Sequence, residues 1–157
     1  IYGVSAFGLS QQTDLNRIES KEMIDTYYKS YPKLKEYMSS QIQYARENGF
    51  VSTLLERRRY LKDINSQNAI VRGAAERTAI NAPIQGSAAD IIKLAMIQID
   101  NKIQKEKLES RMILQVHDEL VFDVPKEEKD VLSKIVKIEM ENALELKVPL
   151  VVDLETG

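Results

Sequence analysis

Apolar positions along the 157 residues follow a helical rhythm through most of the first 105 and a strand-like rhythm after residue 110. From Glu19 to Tyr31, the residues Met23, Ile24, Tyr27, Tyr28 and Tyr31 recur at the spacing of one helix face. Pro32 suits the first turn of a second helix, which carries Leu34, Tyr37, Met38, Ile42 and Tyr44 and closes at Asn48-Gly49. This spacing assigns the tyrosines to packing rather than to base stacking. Residues 1–13 read as a short helix end and a loop, and Phe50 to Leu55 with Arg59 to Leu61 as a small hairpin. Ser66 or Asn68 caps the next element. Residues 67–104, rich in Ala, Ile and Leu, predict two helices or one long helix kinked near Pro83.

The rhythm changes in RMILQVHDELVFDVP, residues 111–125. Two apolar runs flank a short polar break, which predicts a β-hairpin with His117, Asp118 and Glu119 at its tip on a rigid, buried support. Lys126 to Leu146 follows as an amphipathic helix, and Val148 to Asp153 as a strand. A helical first half followed by strand, turn, strand, helix and strand makes the fold class α+β, with the sheet segregated to the C-terminal part. The predicted lobes are residues 1–65 and 66–157.

Composition narrows the class. Hydrophobic residues make up 43% and charged residues 29%, ordinary for a globular chain with a real core. No apolar run is long enough to cross a bilayer, and no signal-peptide layout is present. The absence of cysteine excludes disulfides and thiolate zinc sites and fits a reducing cytoplasm. The net charge of −2 conceals an asymmetry: residues 1–105 carry 15 Lys and Arg against 11 Asp and Glu, residues 106–157 carry 7 against 13. The densest basic stretch runs from Glu56 to Arg77 and includes Arg57, Arg58, Arg59, Lys62 and Arg72. A basic middle beside an acidic end can grip a polyanion while binding cations. A chain opening Ile1-Tyr2-Gly3-Val4, without an initiator Met, reads as a piece of a longer polypeptide.

Two sets of residues carry candidate chemistry. A carboxylate at a hairpin tip needs a cation or hydrogen bonds to compensate it. With one histidine and no cysteine, the hard oxygen ligands of Asp118 and Glu119 point to magnesium or manganese rather than zinc. A two-metal site needs a second acid from elsewhere. The other set lies in AAERTAINAPIQGSAADIIK, residues 74–93, where Arg77, Asn81 and Gln85 are spaced four apart and form one polar stripe on a helix. These donors can reach the acceptors that the DNA minor groove presents largely regardless of sequence. Ala74, Ala75, Ala79, Ala82 and Gly86 would let such a helix approach closely.

QVHDELVFDV resembles motif C of the family A DNA polymerases, the bacterial DNA polymerase I type. ERTAINAPIQGSAADIIKLAM resembles the palm helix that precedes that motif, and IYGVSAFGL the tail of motif B with the loop after it. The resemblance covers essentially the whole chain, in order and spacing. It implies that residues 1–65 are the C-terminal part of the fingers and 66–157 the C-terminal part of the palm. It further implies Asp118 as a ligand of the catalytic magnesium ions, Glu119 as an auxiliary acid, and His117 beside the primer terminus. Arg77 and Gln85 would touch the minor groove of the primer–template duplex with Asn81 supporting them, and Tyr2 would lie near the template base and nucleotide pocket.

The implied activity is DNA-directed DNA polymerisation in replication and repair, with primer–template DNA and deoxynucleoside triphosphates as partners. Motif A and the triphosphate-holding residues of the fingers are absent from these residues, so the chain alone is expected to be inactive. Glu56 stands where many members of the family have glycine. The alternatives are a non-catalytic nucleic-acid-binding module and a metal-dependent phosphodiesterase built on Asp118, Glu119 and His117.

Overall fold

The computed structural model describes residues 4–157; the expectation for Tyr2 lies outside them. The chain forms two compact units, one ending at Gly86 and one starting at Ser87. The boundary read from sequence, after residue 65, falls inside the first unit.

In the first unit, α1 (Ala6–Ser10) is capped by Ser5, whose Oγ accepts from the Gly8 N–H at 3.0 Å. Helix α2 (Arg17–Ser30) opens with a capping box. The Asn16 side chain accepts from the Ile18 and Glu19 N–H groups, while Glu19 accepts from the Asn16 N–H at 2.8 Å. Helix α3 (Pro32–Asn48) starts at proline and ends at Gly49 in the left-handed conformation, φ 78°. Strands β1 (Phe50–Ser52) and β2 (Arg58–Tyr60) pair antiparallel with Phe50 opposite Tyr60. Helix α4 (Ala69–Glu106) is one continuous helix with Pro83 inside it. Asn68, not Ser66, caps it, accepting from the Ile70 N–H at 2.9 Å. Ala45, Val51, Leu61, Ile64, Ala75 and Ala79 form the core of this unit. Within it, Ala75 and Ala79 of α4 lie with Ala45 of α3 and Val51 of β1.

The loop between β1 and β2 is closed by the Thr53 N–H donating to the Arg57 carbonyl and the Glu56 N–H to the Thr53 carbonyl, both at 3.0 Å. Its geometry matches a three-residue hairpin loop whose last residue must turn left-handed, a position glycine fills most easily. Glu56 takes that position with φ 63°. Its departure from glycine therefore bears first on backbone strain.

In the second unit, α4 ends in a Schellman turn. Lys107 is left-handed at φ 57°, and the Leu108 N–H donates to the Ile103 carbonyl at 3.0 Å. Strands β3 (Arg111–Val116) and β4 (Glu119–Asp123) follow as an antiparallel pair with a register shift between Met112 and Leu114. After a short 3-10 turn at Lys126–Glu128 comes α5 (Lys129–Glu141), which ends before the expected Leu146. Ile99, Ile103, Leu132 and Val136 form the second core, with Met112, Leu120, Phe122 and Met140 packed against it. The α+β class holds, with two separate two-stranded sheets among the described residues.

Two expectations are corrected. Val148 to Asp153 is not a strand. No ladder partner among the described residues pairs with it, Pro149 has no N–H to offer, and the Val152 N–H instead donates to the Glu141 carboxylate at 3.3 Å. The β3–β4 hairpin is buried on one face only. A continuous apolar run reads as buried on both sides, but α4 and α5 supply a layer for one, leaving Ile113 60%, Leu114 55%, Val116 42% and Val121 41% exposed.

Glu128 ties the turn before β3 to the turn before α5. Its carboxylate accepts from the Glu109 and Ser110 N–H groups at 2.9 Å and from the Ser110 hydroxyl. The Ser110 hydroxyl bond, then the Glu109 N–H bond, hold its pKa below the usual carboxylate value. A carboxylate depressed in the folded state contributes stability that is present above its unfolded pKa and lost as pH falls through the folded one. Glu128→Gln is therefore expected to flatten the acid limb, the loss of stability as pH falls below the ordinary glutamate range, read by urea denaturation. An unchanged limb would contradict the role of these bonds.

Glu56→Gly is expected to stabilise the fold by up to about 1 kcal/mol, relief of left-handed strain being offset in part by the entropy of glycine in the unfolded chain. A loss of stability in the same denaturation measurement would instead assign the Glu56 side chain a holding role.

Candidate nucleic-acid interface and carboxylate hairpin

In the second unit, β3 and β4 are joined by only two residues, His117 and Asp118, because Val116 pairs directly with Glu119. Closing so tight a loop requires left-handed backbone. His117 adopts it at φ 55°, and histidine is among the non-glycine residues that do so more readily. The Gln115 side-chain amide donates to the His117 carbonyl at 2.9 Å and braces the turn. His117, Asp118 and Glu119 are thus brought together, with Asp118 at the apex and Glu119 as the first residue of β4. All three are exposed. Asp118 and Glu119 border a groove whose other walls are β4, α5 and the C-terminal residues 151–157.

No group of three His, Cys, Asp or Glu side chains among the described residues could hold a metal ion. Asp118 offers a hard carboxylate oxygen on a backbone-fixed apex, which fits magnesium as one ligand of a larger set. A self-contained phosphodiesterase site finds no ligand set among the described residues.

In the first unit, Arg77, Asn81 and Gln85 lie one helical turn apart along α4. Arg77 and Gln85 are exposed. Asn81 is half-buried, and its Oδ1 is enclosed without a hydrogen-bond partner, an arrangement that costs about 1–3 kcal/mol unless a donor is supplied. This set and the hairpin set belong to different units.

The basic stretch divides by role. Glu76 takes Arg46 at 2.6 Å and Arg72 at 3.9 Å. The Arg72 guanidinium also donates to the Ser66 carbonyl at 2.9 Å. Arg57 donates to the Gly86 carbonyl at 3.1 Å. Arg58 lies over the Phe50 ring, 4.5 Å from its centroid. Arg59, Lys62 and Arg77 are exposed and enter no ion pair among the described residues. They are the cations left to face a polyanion. Sequence reasoning passed over Gln115 and Arg57 as individuals: nothing in a lone Gln signals a turn brace, and Arg57 was hidden in a run of three.

Residues 1–157 match the family model described as DNA polymerase family A. Across those 157 residues the chain is 54% identical to DNA polymerase I of Caldicellulosiruptor bescii and 51% identical to that of Geobacillus stearothermophilus. The chain is covered completely in both matches and spans 18% of each relative's length. Among solved structures it is similar to the POL domain of Pol1 from M. smegmatis, in complex with DNA primer-template and dNTP. That match has a TM-score of 0.92 and 48% identity, covering 95% of this chain and 26% of the other. A turn built as Gln115-Val116-His117-Asp118-Glu119, a long helix carrying the Arg77, Asn81 and Gln85 stripe, and a match over every residue leave one assignment: the chain belongs to DNA polymerase family A.

Proposed function

We propose that these residues are the C-terminal fingers and palm portions, 1–65 and 66–157, of a cytoplasmic DNA-directed DNA polymerase acting in replication and repair. The observation that carries this reading is the placement of Asp118 at the apex of a two-residue turn, in a chain 48% identical to a polymerase domain bound to primer-template and dNTP. The fold, the exposed donors on α4 and the unpaired cations support it. No described helix is long and apolar enough to cross a membrane.

In this reading Asp118 holds divalent metal through its carboxylate, together with acids outside these residues. Magnesium, with manganese able to replace it, supplies charge stabilisation at the attacking and leaving oxygens when bound. Glu119 adds negative potential beside it and helps fix Asp118 by opening β4. His117, carried on the same turn, contacts the sugar or backbone of the primer terminus. Arg77 and Gln85 donate to minor-groove acceptors that every correct base pair presents, so they test pair shape without reading sequence. Asn81, half-buried on the same face, backs them. Tyr2 contributes near the template base and nucleotide. In this reading the 157 residues alone do not extend a primer, because a two-metal site needs a second acid beside Asp118.

The test is made with this chain in place of the matching 157 residues of the Geobacillus stearothermophilus relative. Asp118→Ala is expected to lower primer extension by at least about a thousandfold while duplex affinity stays within about threefold, as loss of a metal ligand acts on the reaction rather than on docking. Equal extension by both proteins would remove Asp118 from the metal site. Duplex binding without extension by either would favour a non-catalytic binding module.

A further inference from the structure

Helix α4 carries two weak points within one turn. Pro83 has no N–H to give its helix, and Gly86 lowers helix propensity through its backbone freedom. Alanine at position 86 should improve an isolated helix, yet the fold has no room for it. A Cβ built on Gly86 would lie 2.6 Å from Thr53 Cγ2 and 3.4 Å from the Arg57 guanidinium. The loop between β1 and β2 is seated on this glycine. The Arg57 guanidinium donates to the Gly86 carbonyl at 3.1 Å, one residue from Gln85. The loop end of the same contact is fixed in turn, since the Arg57 N–H donates to Thr53 Oγ1 at 3.2 Å and its carbonyl accepts from the Thr53 N–H at 3.0 Å.

We propose that Arg57 is a positioning residue. Through the Gly86 carbonyl it latches the small hairpin onto α4 and fixes the turn that presents Gln85 to duplex DNA. Arg57 thereby differs in kind from its neighbours: Arg59 is free to meet phosphate directly, whereas Arg57 acts through the helix. This rests on the reading of Gln85 as a duplex contact, and the test separates the two.

Primer–template affinity and its salt dependence are measured in the same chimeric polymerase. Gln85→Ala is expected to weaken duplex binding about tenfold, and Arg57→Ala by a similar factor. The double variant is expected to bind no more weakly than either single one, because both remove the same contact. The slope of log affinity against log salt is expected to stay unchanged in Arg57→Ala, whereas loss of a direct phosphate contact lowers it by about one. Arg57→Lys, which keeps the charge without the planar fork, and Gly86→Ala, which displaces the loop, are expected to reproduce the loss. These two also decide the matter if Arg57→Ala melts early.

If Gln85→Ala binds like wild type, the interface reading itself is wrong. If Gln85→Ala weakens binding but Arg57→Lys and Gly86→Ala do not, the latch is refuted. Multiplying losses or a reduced salt slope in Arg57→Ala would likewise refute it, making Arg57 an independent DNA contact.

Discussion

Two antiparallel strands joined by only two residues close when the backbone between them turns left-handed, and the placement of this chain's carboxylates depends on that closure. His117 takes the turn at φ 55°, and the Gln115 amide holds its carbonyl. Asp118 is then fixed by backbone geometry rather than by side-chain packing, which explains how an exposed group can be held in place. The inner face of the hairpin is anchored on Ile99, Ile103, Leu132 and Val136, so the apex stands on a packed base. Strain at the turn is tolerated because the strands on either side over-determine it.

The first unit solves a different problem. A helix that receives its supporting hairpin closely needs small residues, and small residues leave it weak. Ala75 and Ala79 are buried against the core formed with Ala45 and Val51, and Gly86 receives the loop around Thr53. The basic cluster turns out to be several devices. Arg46 joins α3 to α4 through Glu76, Arg72 meets the same Glu76 within α4, Arg57 grips the helix backbone, and Arg58 covers Phe50. Counting positive charges along the sequence therefore overstates the surface available to phosphate.

Local signals were legible wherever the chemistry is local. Pro32 and Gly49 bound α3, Asn68 caps α4, and the alternation around His117 marks the hairpin, because caps and turns are decided by a few neighbouring residues. Expectations failed where the deciding partner was distant. Among the described residues, Val148 to Asp153 has the composition of a strand but no partner to pair with, and the outer face of β3 has the composition of a buried surface but no layer over it. The meaning of Glu56 was half visible: a residue standing where glycine is common hinted at special backbone, and φ 63° identifies it. Gln115 and Glu128 gave no signal, since the one bond of Gln115 and the three of Glu128 depend on side-chain geometry that no sequence pattern encodes.

The central claim is that Asp118 is a metal-binding carboxylate supplied by this chain to a polymerase site whose other ligands lie elsewhere. The most direct measurement is manganese binding by electron paramagnetic resonance, in the chimeric polymerase with a chain-terminated primer–template and the next nucleotide bound. The account predicts tightly bound manganese with the wild-type hairpin and its loss or marked weakening in Asp118→Ala while the duplex stays bound. Equal manganese binding in both proteins would contradict it.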